Sequence, residues 1–302
     1  MIEKRVYRKI AIDVVSVCVL AVPILVFITV MKPYHRGFFC DDESLMHPFK
    51  EDTIPTWLLG VIGLGLPIIC VLTIEALLTK TNKGVILPKD VLSPKIRPYL
   101  ERCYDIIRVF IFGTAATQFL TEIGKFSVGR LRPHFFDVCK PNITKCTSTL
   151  GYVTDDVCEG TDIKKILHAR LSFPSGHASI SIFCMVYLMV YLQIRLKIQG
   201  ADLAKAVLQV VAITLAIFTC LSRISDYKHH WGDVLGGALL GFAVCVLVVW
   251  CLSVLVPDVS LQTILLSISG NQMTHYRRTH QESSESQGSE GMDGLTGVAV
   301  NN

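Results

Sequence analysis

Residues 222–233 read SRISDYKHHWGD and separate two long apolar segments of the chain. Ionisable side chains this close to membrane depth are costly unless they serve a function. His229 and Asp233 are four positions apart, so on a helix they would share a face, and the carboxylate could hold one imidazole nitrogen while the other attacks. Arg223 offers a planar guanidinium that suits phosphate oxygens. Taken alone, the stretch fits a catalytic site and a solvated loop about equally well.

The composition is that of a membrane protein. The chain has 302 residues, of which 51% are hydrophobic, and a mean hydropathy of +0.49, which is more apolar than an ordinary soluble domain. It has no basic patch of the kind that binds nucleic acid. Apolar runs with about the 20 residues that a membrane-spanning helix needs cover residues 10–31, 56–78, 103–124, 175–194, 204–221 and 234–256. The sequence therefore predicts an all-α integral membrane protein with six transmembrane helices.

The distribution of Lys and Arg predicts the orientation. These residues gather before the first run and in the loops after the second and fourth runs, which marks that side as cytosolic. The third run then ends, the fourth begins, and the fifth and sixth are joined on the extracellular or lumenal side. Residues 1–264 form the predicted membrane domain. Residues 265–302 are polar and rich in Ser, Gly and Glu, and they predict a disordered cytosolic tail.

The predicted outer loops carry two signs of an oxidising compartment. Asn142-Ile143-Thr144 is a glycosylation sequon, so Asn142 is a candidate acceptor. An even number of cysteines in these loops suggests up to two disulfides, with three pairings left open. These cysteines are Cys40, Cys139, Cys146 and Cys158.

A second polar cluster follows the third apolar run. Lys125 and Arg132 are seven residues apart, which is two turns on one helical face if the helix continues until Pro133 stops it. Two cations on one face would form an anion clamp, and Glu122 could orient Lys125. The alternative is a basic cluster that reaches out from a helix end toward the membrane surface. Such clusters normally lie on the cytosolic side, so the predicted outer position favours the clamp.

A third cluster, Pro174-Ser175-Gly176-His177, precedes the fourth apolar run. Pro174 and Ser175 are typical of a helix start, and Gly176 would let the backbone approach a ligand closely. Backbone N–H groups at a helix N-terminus bind anions. His177 would lie in the first turn, although a lone histidine there is more often a surface or capping residue. All three clusters are predicted on the same face of the membrane.

Together the clusters resemble the signature of the type 2 phosphatidic acid phosphatase superfamily. Its pattern K-x6-R-P, P-S-G-H and S-R-x5-H-x3-D is intact here, in this order, and the animal lipid phosphate phosphatases are similar over about residues 5–260. The resemblance implies that His229 is a nucleophile that forms a phosphohistidine. It also implies that Asp233 holds its imidazole and that His177 protonates the leaving lipid oxygen and later activates water. The residues implied in phosphate binding are Lys125, Arg132, Ser175, Gly176 and Arg223.

Spacing alone does not separate His229 from His230, and the family pattern selects His229. Fixed cations could take the part of metal ions, so no metal or cofactor is expected. The implied substrates are phosphatidate, lysophosphatidate, sphingosine 1-phosphate and ceramide 1-phosphate. The alternatives are a membrane phosphatase for a soluble phosphate ester and a non-enzymatic lipid-binding relative. The expected location is the plasma membrane with an extracellular site; internal membranes and a homo-oligomer stay open.

Overall fold

The structure is a computed structural model, and it describes residues 2–81, 97–142, 144, 151–154, 157–196 and 202–253. Within these ranges, six helices are long and apolar enough to cross a membrane, which confirms the predicted fold class. They are Val6–Thr29, Thr56–Thr79, Tyr99–Val128, Gly176–Arg195, Leu203–Ser225 and Trp231–Trp250. The predicted tail, residues 265–302, lies outside the described residues.

Residues 30–55 separate the first two described α-helices, and other connections, such as that between the last two, are short. The elements up to the centre of the chain are α1 (Ile2–Thr29), α2 (Thr56–Gly60), α3 (Leu66–Thr81), α4 (Arg97–Val128) and α5 (Phe135–Cys139). One π-helical segment, Val61–Gly65, joins α2 to α3 within a single span. The later elements are α6 (Ile163–His168), α7 (Gly176–Arg195), α8 (Asp202–Ser225) and α9 (Trp231–Ser253).

The most buried of the spans is α7, which packs against α4, α8 and α9. Gly237 and Gly241 of α9 face the backbone of α7 so closely that a Cβ would come within 2.4 Å of the Ser175 carbonyl oxygen and 2.2 Å of that of Ser179. Small residues at such contacts let two helices approach backbone to backbone. This packing brings the start of α9 next to the start of α7.

Charged residues inside the spans form ion pairs. Arg108 of α4 contacts Asp13 of α1 at 3.1 Å, and Arg195 of α7 contacts Glu75 of α3 at 2.7 Å. Pairing offsets the cost of placing charge at membrane depth. These ion pairs therefore hold α4 against α1 and α7 against α3. The pairing accounts for these charged side chains without a role in transport.

A small lobe covers the end of the bundle at which α4 ends and α7 begins. It contains α5, α6 and an antiparallel pair of short strands, β1 (Phe38–Phe39) and β2 (Tyr152–Val153). Phe38 and Phe135 are buried in its apolar centre. A disulfide joins Cys139 to Cys158, and Cys40 is also disulfide-bonded. Cys146 lies outside the described residues.

Candidate active site

The prediction that Lys125 and Arg132 share a helical face is wrong. The helix α4 ends at Val128, because Gly129 adopts a left-handed φ of 55° at the point where a Cβ would meet the Tyr34 carbonyl oxygen. Arg132 therefore lies in the turn after the helix. It still interacts electrostatically with Lys125, and Lys125 is held by Glu122 at 2.7 Å as expected.

Arg132 is buried with part of its guanidinium unused. Its Nη2 lies 3.4 Å from both the Leu171 carbonyl oxygen and Nε2 of His168, which are long hydrogen bonds. Its buried Nε has no partner among the described residues. Burial lowers the pKa of Arg132 to about 10, so the side chain remains a cation at neutral pH. It is a charged donor that can still bind an acceptor.

The N-terminus of α7 lies beside these cations. Ser175 caps the helix without a side-chain capping bond, and its buried Oγ has no partner in the described part of the chain. A Cβ on Gly176 would come within 3.3 Å of Lys125 Nζ, so the ammonium group lies directly against this glycine. The first backbone N–H groups of a helix lack intrahelical acceptors. Together they form a recess suited to an anion.

His229 does not share a helical face with Asp233, which corrects the expectation from their spacing. The helix α9 begins only at Trp231, and Tyr227 has a φ of 53° in the turn before it. Nδ1 of His229 donates to the Ser172 carbonyl oxygen at 2.8 Å. Because a carbonyl oxygen only accepts, this bond fixes the proton on Nδ1 and leaves the lone pair on Nε2.

Asp233 is linked to His229 through Ser172 rather than by direct contact. Its Oδ2 accepts from Ser172 Oγ at 2.6 Å, and its Oδ1 accepts from Arg130 Nη1 at 2.7 Å. The backbone carbonyl of Asp233 also accepts from the Ser175 N–H at 3.0 Å. Among its contacts within the described ranges there is none to His229. The carboxylate therefore joins the turn that carries His229 to the segment that precedes α7.

Burial, together with the nearby cations Arg132 and Lys125, holds the pKa of His229 well below its ordinary value. The imidazole is thus neutral at neutral pH. A neutral ring with a free Nε2 has the electron pair that a nucleophile needs.

His230, the alternative that spacing left open, has a different environment. Its Nδ1 and its backbone N–H both donate to Asp233 Oδ2, at 3.2 Å and 3.0 Å. His230 therefore lies just before α9 and is bound to the Asp233 carboxylate in the first turn of that helix. The histidine whose ring is held by the segment before α7 is His229.

His177 lies in the first turn of α7, as expected. Its Nε2 donates to the Ile54 carbonyl oxygen at 3.0 Å, so Nδ1 is the nitrogen available for proton transfer. It interacts electrostatically with Arg223 and with Asp52. The ring is therefore held between α7 and the loop before α2.

Arg223 is present at the site but already has anionic partners. Its Nη1 donates to Asp52 Oδ1 at 2.7 Å and its Nη2 donates to Asp226 Oδ2 at 2.8 Å. The side chain is only 1% exposed. The guanidinium is thus oriented by carboxylates, which the sequence interpretation did not include.

Sequence reasoning missed five contributors: Asp52, Arg130, His168, Ser172 and Asp226. Arg130 lies within the Lys125–Arg132 motif, and Ser172 lies two residues before Pro174, so both were adjacent to residues already selected. Asp52 lies in a charged loop just before a span on the predicted outer side. That position was the available signal.

The arrangement combines an anion recess with a neutral imidazole and a second histidine. Cations and N–H groups placed around a phosphoryl group can stabilise the charge that develops on it during transfer. A nucleophile, an orienting carboxylate and a proton donor are the parts that covalent transfer requires. These residues are therefore of the types that phosphoryl transfer can use.

Comparison with known proteins agrees with this chemistry. Residues 107–256 match the family model described as PAP2 superfamily. Phospholipid phosphatase 1 of Rattus norvegicus is 41% identical over 249 residues, which covers 82% of this chain and 86% of that protein. Phospholipid phosphatase 2 of Mus musculus is 36% identical over 246 residues, with the same coverage of 82% and 86%. No solved structure matches the chain significantly. The extent of these matches means that the chain belongs to the PAP2 superfamily, as a relative of the phospholipid phosphatases.

Proposed function

We propose that the chain is an integral membrane enzyme that dephosphorylates lipid phosphate monoesters through a phosphohistidine on His229, without a metal ion. The observation that carries the proposal is that Arg132 Nε and Ser175 Oγ are buried without partners among the described residues, while Lys125 interacts electrostatically with Arg132 and lies against Gly176. Buried polar groups are normally hydrogen-bonded, so two unused donors next to an ammonium group favour an anionic ligand. The names of the relatives, phospholipid phosphatase 1 and 2, support a lipid phosphate as that ligand.

The first step is attack by Nε2 of His229 on phosphorus. A P–N bond forms while the P–O bond to the lipid breaks, and His177 gives a proton to the departing alkoxide. Charge on the equatorial oxygens is stabilised by the cations Lys125, Arg132 and Arg223 and by backbone N–H groups at the start of α7. This role requires the imidazolium form of His177. One proton stays on Nε2, which donates to the Ile54 carbonyl oxygen, and the proton on Nδ1 is the one transferred.

The second step releases phosphate. His177, now neutral, takes a proton from water as the water oxygen attacks phosphorus, and the P–N bond breaks to return the electron pair to His229. Asp233 supports both steps by fixing Ser172, whose carbonyl holds the His229 proton on Nδ1. The histidine thus keeps one tautomer, which is the orienting part of triad logic.

The distribution of Lys and Arg and the sequon at Asn142 support an extracellular or lumenal position for the site. In that orientation, the end of the bundle that carries the lobe lies at the outer leaflet. A lipid phosphate could then present its headgroup to the recess while its chains stay in the bilayer.

The test is phosphate release by the purified protein, in detergent micelles with EDTA, from phosphatidate, lysophosphatidate, sphingosine 1-phosphate and ceramide 1-phosphate. A soluble sugar phosphate in the same assay provides the comparison. Turnover of the lipid substrates in EDTA is expected. Preference for the sugar phosphate, no turnover of any substrate, or a requirement for added divalent metal would each contradict the proposal.

A further inference from the structure

Asp52 places a carboxylate among the cations of the candidate site, although it is 171 residues away from Arg223 in sequence. Its Oδ1 lies 2.7 Å from Arg223 Nη1 and 3.9 Å from Lys228 Nζ. Burial raises the pKa of Asp52, but the neighbouring Lys228 and Arg223 outweigh this effect and hold the pKa below its ordinary value. The group is therefore an anion at neutral pH.

Two carboxylates compete with phosphate for Arg223. The guanidinium directs one terminal nitrogen to Asp52 and the other to Asp226. A phosphate that arrived in this geometry would meet a cation whose charge is already balanced. The negative charges of these carboxylates would also repel the phosphate, and such repulsion is stronger in a partly buried site than in water. Phosphate binding through Arg223 is therefore weak unless one carboxylate moves away.

The two carboxylates differ in how firmly they are held. Asp226 has an 8% exposed side chain, and its oxygens also accept from the Thr53 N–H at 2.8 Å and from Thr53 Oγ1 at 2.7 Å. Asp52 is 39% exposed, and within the described residues its hydrogen bonds and ion pairs are those with Arg223 and Lys228. Asp52 is thus the carboxylate that can leave at low cost.

We propose that Asp52 is an internal competitor for the phosphate site, bound to Arg223 and Lys228 when the site is empty and displaced when a phosphate group binds. This proposal rests on the proposed phosphatase function and adds a residue that sets the affinity for phosphate. The backbone next to Asp52 is fixed, because Thr53 is bound to Asp226 and the Ile54 carbonyl accepts from His177. Displacement therefore needs only rotation of the Asp52 side chain toward solvent.

The experiment measures the inhibition constant of inorganic phosphate, the reaction product, against phosphatidate hydrolysis in mixed micelles. Asp52→Asn keeps the size of the side chain and removes its charge, so phosphate should inhibit this variant about tenfold more strongly than the wild type. Asp52→Glu keeps the anion, so its inhibition constant for phosphate should stay close to the wild-type value. Asp52→Ser carries the same expectation as Asp52→Asn if the latter is poorly expressed.

Glu51→Gln is the matched control, because it removes the same charge from the exposed neighbour, which interacts electrostatically with Lys228 but has no described contact with Arg223. An inhibition constant for Asp52→Asn equal to that of Glu51→Gln would overturn the proposal. So would weaker inhibition together with a lower kcat, since Asp52 would then be positioning Arg223 for catalysis. If the wild type is active and inhibited by phosphate and Asp52→Asn has the same inhibition constant, only the proposed role of Asp52 as a competitor is contradicted. A wild type with neither property contradicts the phosphatase function as well.

Discussion

Arg130 and Asp233 form an ion pair of 2.7 Å between Nη1 and Oδ1, across 103 residues of sequence. The Asp233 side chain has no exposed surface, whereas that of Arg130 is 37% exposed. A buried carboxylate that loses its charged partner is strongly unfavourable. The pair therefore fixes the carboxylate that binds Ser172, and through Ser172 it fixes the ring of His229.

The first prediction concerns this pair. Arg130→Gln should lower kcat about 10–100-fold, by analogy with the outer hydrogen-bond partners of metal ligands, which orient a functional group in the same way, and should lower the unfolding midpoint. Arg130→Lys should recover part of both losses because it restores the charge. Phosphate release and thermal unfolding in micelles provide the measurements. Lys164→Gln, at an exposed position of α6, is the control. An Arg130→Gln variant as active as this control would show that Arg130 does not belong to the site.

The second prediction concerns the anion recess. Arg132→Ala should lower kcat by about 10²–10³, because it removes a donor aimed at charge that develops on the phosphoryl group. Expression and folding should be less affected, since the Nε donor has no partner within the described protein and the other hydrogen bonds are long. Steady-state kinetics on a lipid phosphate will measure the effect. Near-full activity from a normally expressed variant would exclude Arg132 from the recess.

The third prediction concerns the sequon. Asn142 follows the isolated bridge at Pro141, on the lobe that covers the candidate site, and its side chain is partly exposed and contacts Glu159. If this lobe is lumenal, glycosidase treatment should increase the mobility of the protein expressed in animal cells. Asn142→Gln and Thr144→Ala should each abolish the shift, by removing the acceptor and the hydroxyl of the sequon. A shift that persists in both variants would place the glycan elsewhere.

The fourth prediction concerns acid stability. Burial lowers the pKa of His134 to about 4, with Arg132 and Lys228 adding to the effect. Between the ordinary value of 6.5 and about 4 the unfolded chain binds a proton that the folded chain does not, so this residue makes stability fall as the pH falls through that window. At pH 5 the loss due to His134 should be about 2 kcal/mol relative to neutral pH.

His134→Gln can keep the hydrogen bond to the Tyr227 carbonyl oxygen, which Nδ1 of His134 makes at 2.8 Å, but it cannot bind the proton. Denaturant unfolding in micelles at pH 7 and pH 5 should therefore show a smaller acid-induced loss in this variant. His35→Gln, in the exposed stretch before β1, controls for the substitution itself. Equal losses in the wild type and in His134→Gln would mean that another group dominates.

The sequence predicted that the three clusters lie on the same face of the membrane, because hydropathy and loop charge can be read from each segment by itself. It did not predict the pairings inside the site. The helix spacing argument failed at Arg132 because Gly129 ends α4 early, and it failed at His229 because a turn precedes α9. Gly129 was visible as a helix-ending residue, so the first error could have been avoided.

The contacts of Asp52 and Ser172 depend on how separate loops pack, over separations of 171 and 61 residues. No periodicity in a single segment carries that information. Loop residues of this kind are found only when the fold has brought the segments together. They are also where function concentrates, which makes the omission consequential.

The last prediction separates the three histidines by the covalent intermediate. If His229 is the nucleophile, His229→Ala forms no phosphoenzyme with any substrate. If His177 is the general acid, His177→Ala should lose far more activity on a lipid phosphate, whose alkoxide needs a proton, than on p-nitrophenyl phosphate, whose phenolate leaves largely unaided. The same variant should accumulate phosphoenzyme, because the base that activates water is missing.

His230→Ala should be the mildest of the three, since its Nδ1 is bound to Asp233 and the backbone N–H that donates to the same oxygen survives the substitution. Labelled p-nitrophenyl phosphate with a rapid quench that avoids acid, which would hydrolyse phosphohistidine, gives the measurement. Labelled protein is expected for His177→Ala and none for His229→Ala. The reverse pattern would exchange the two roles. Label that survives in His229→Ala and is lost in His230→Ala would move the nucleophile to His230, and the hydrogen bond that His229 donates to the Ser172 carbonyl oxygen would then be structural.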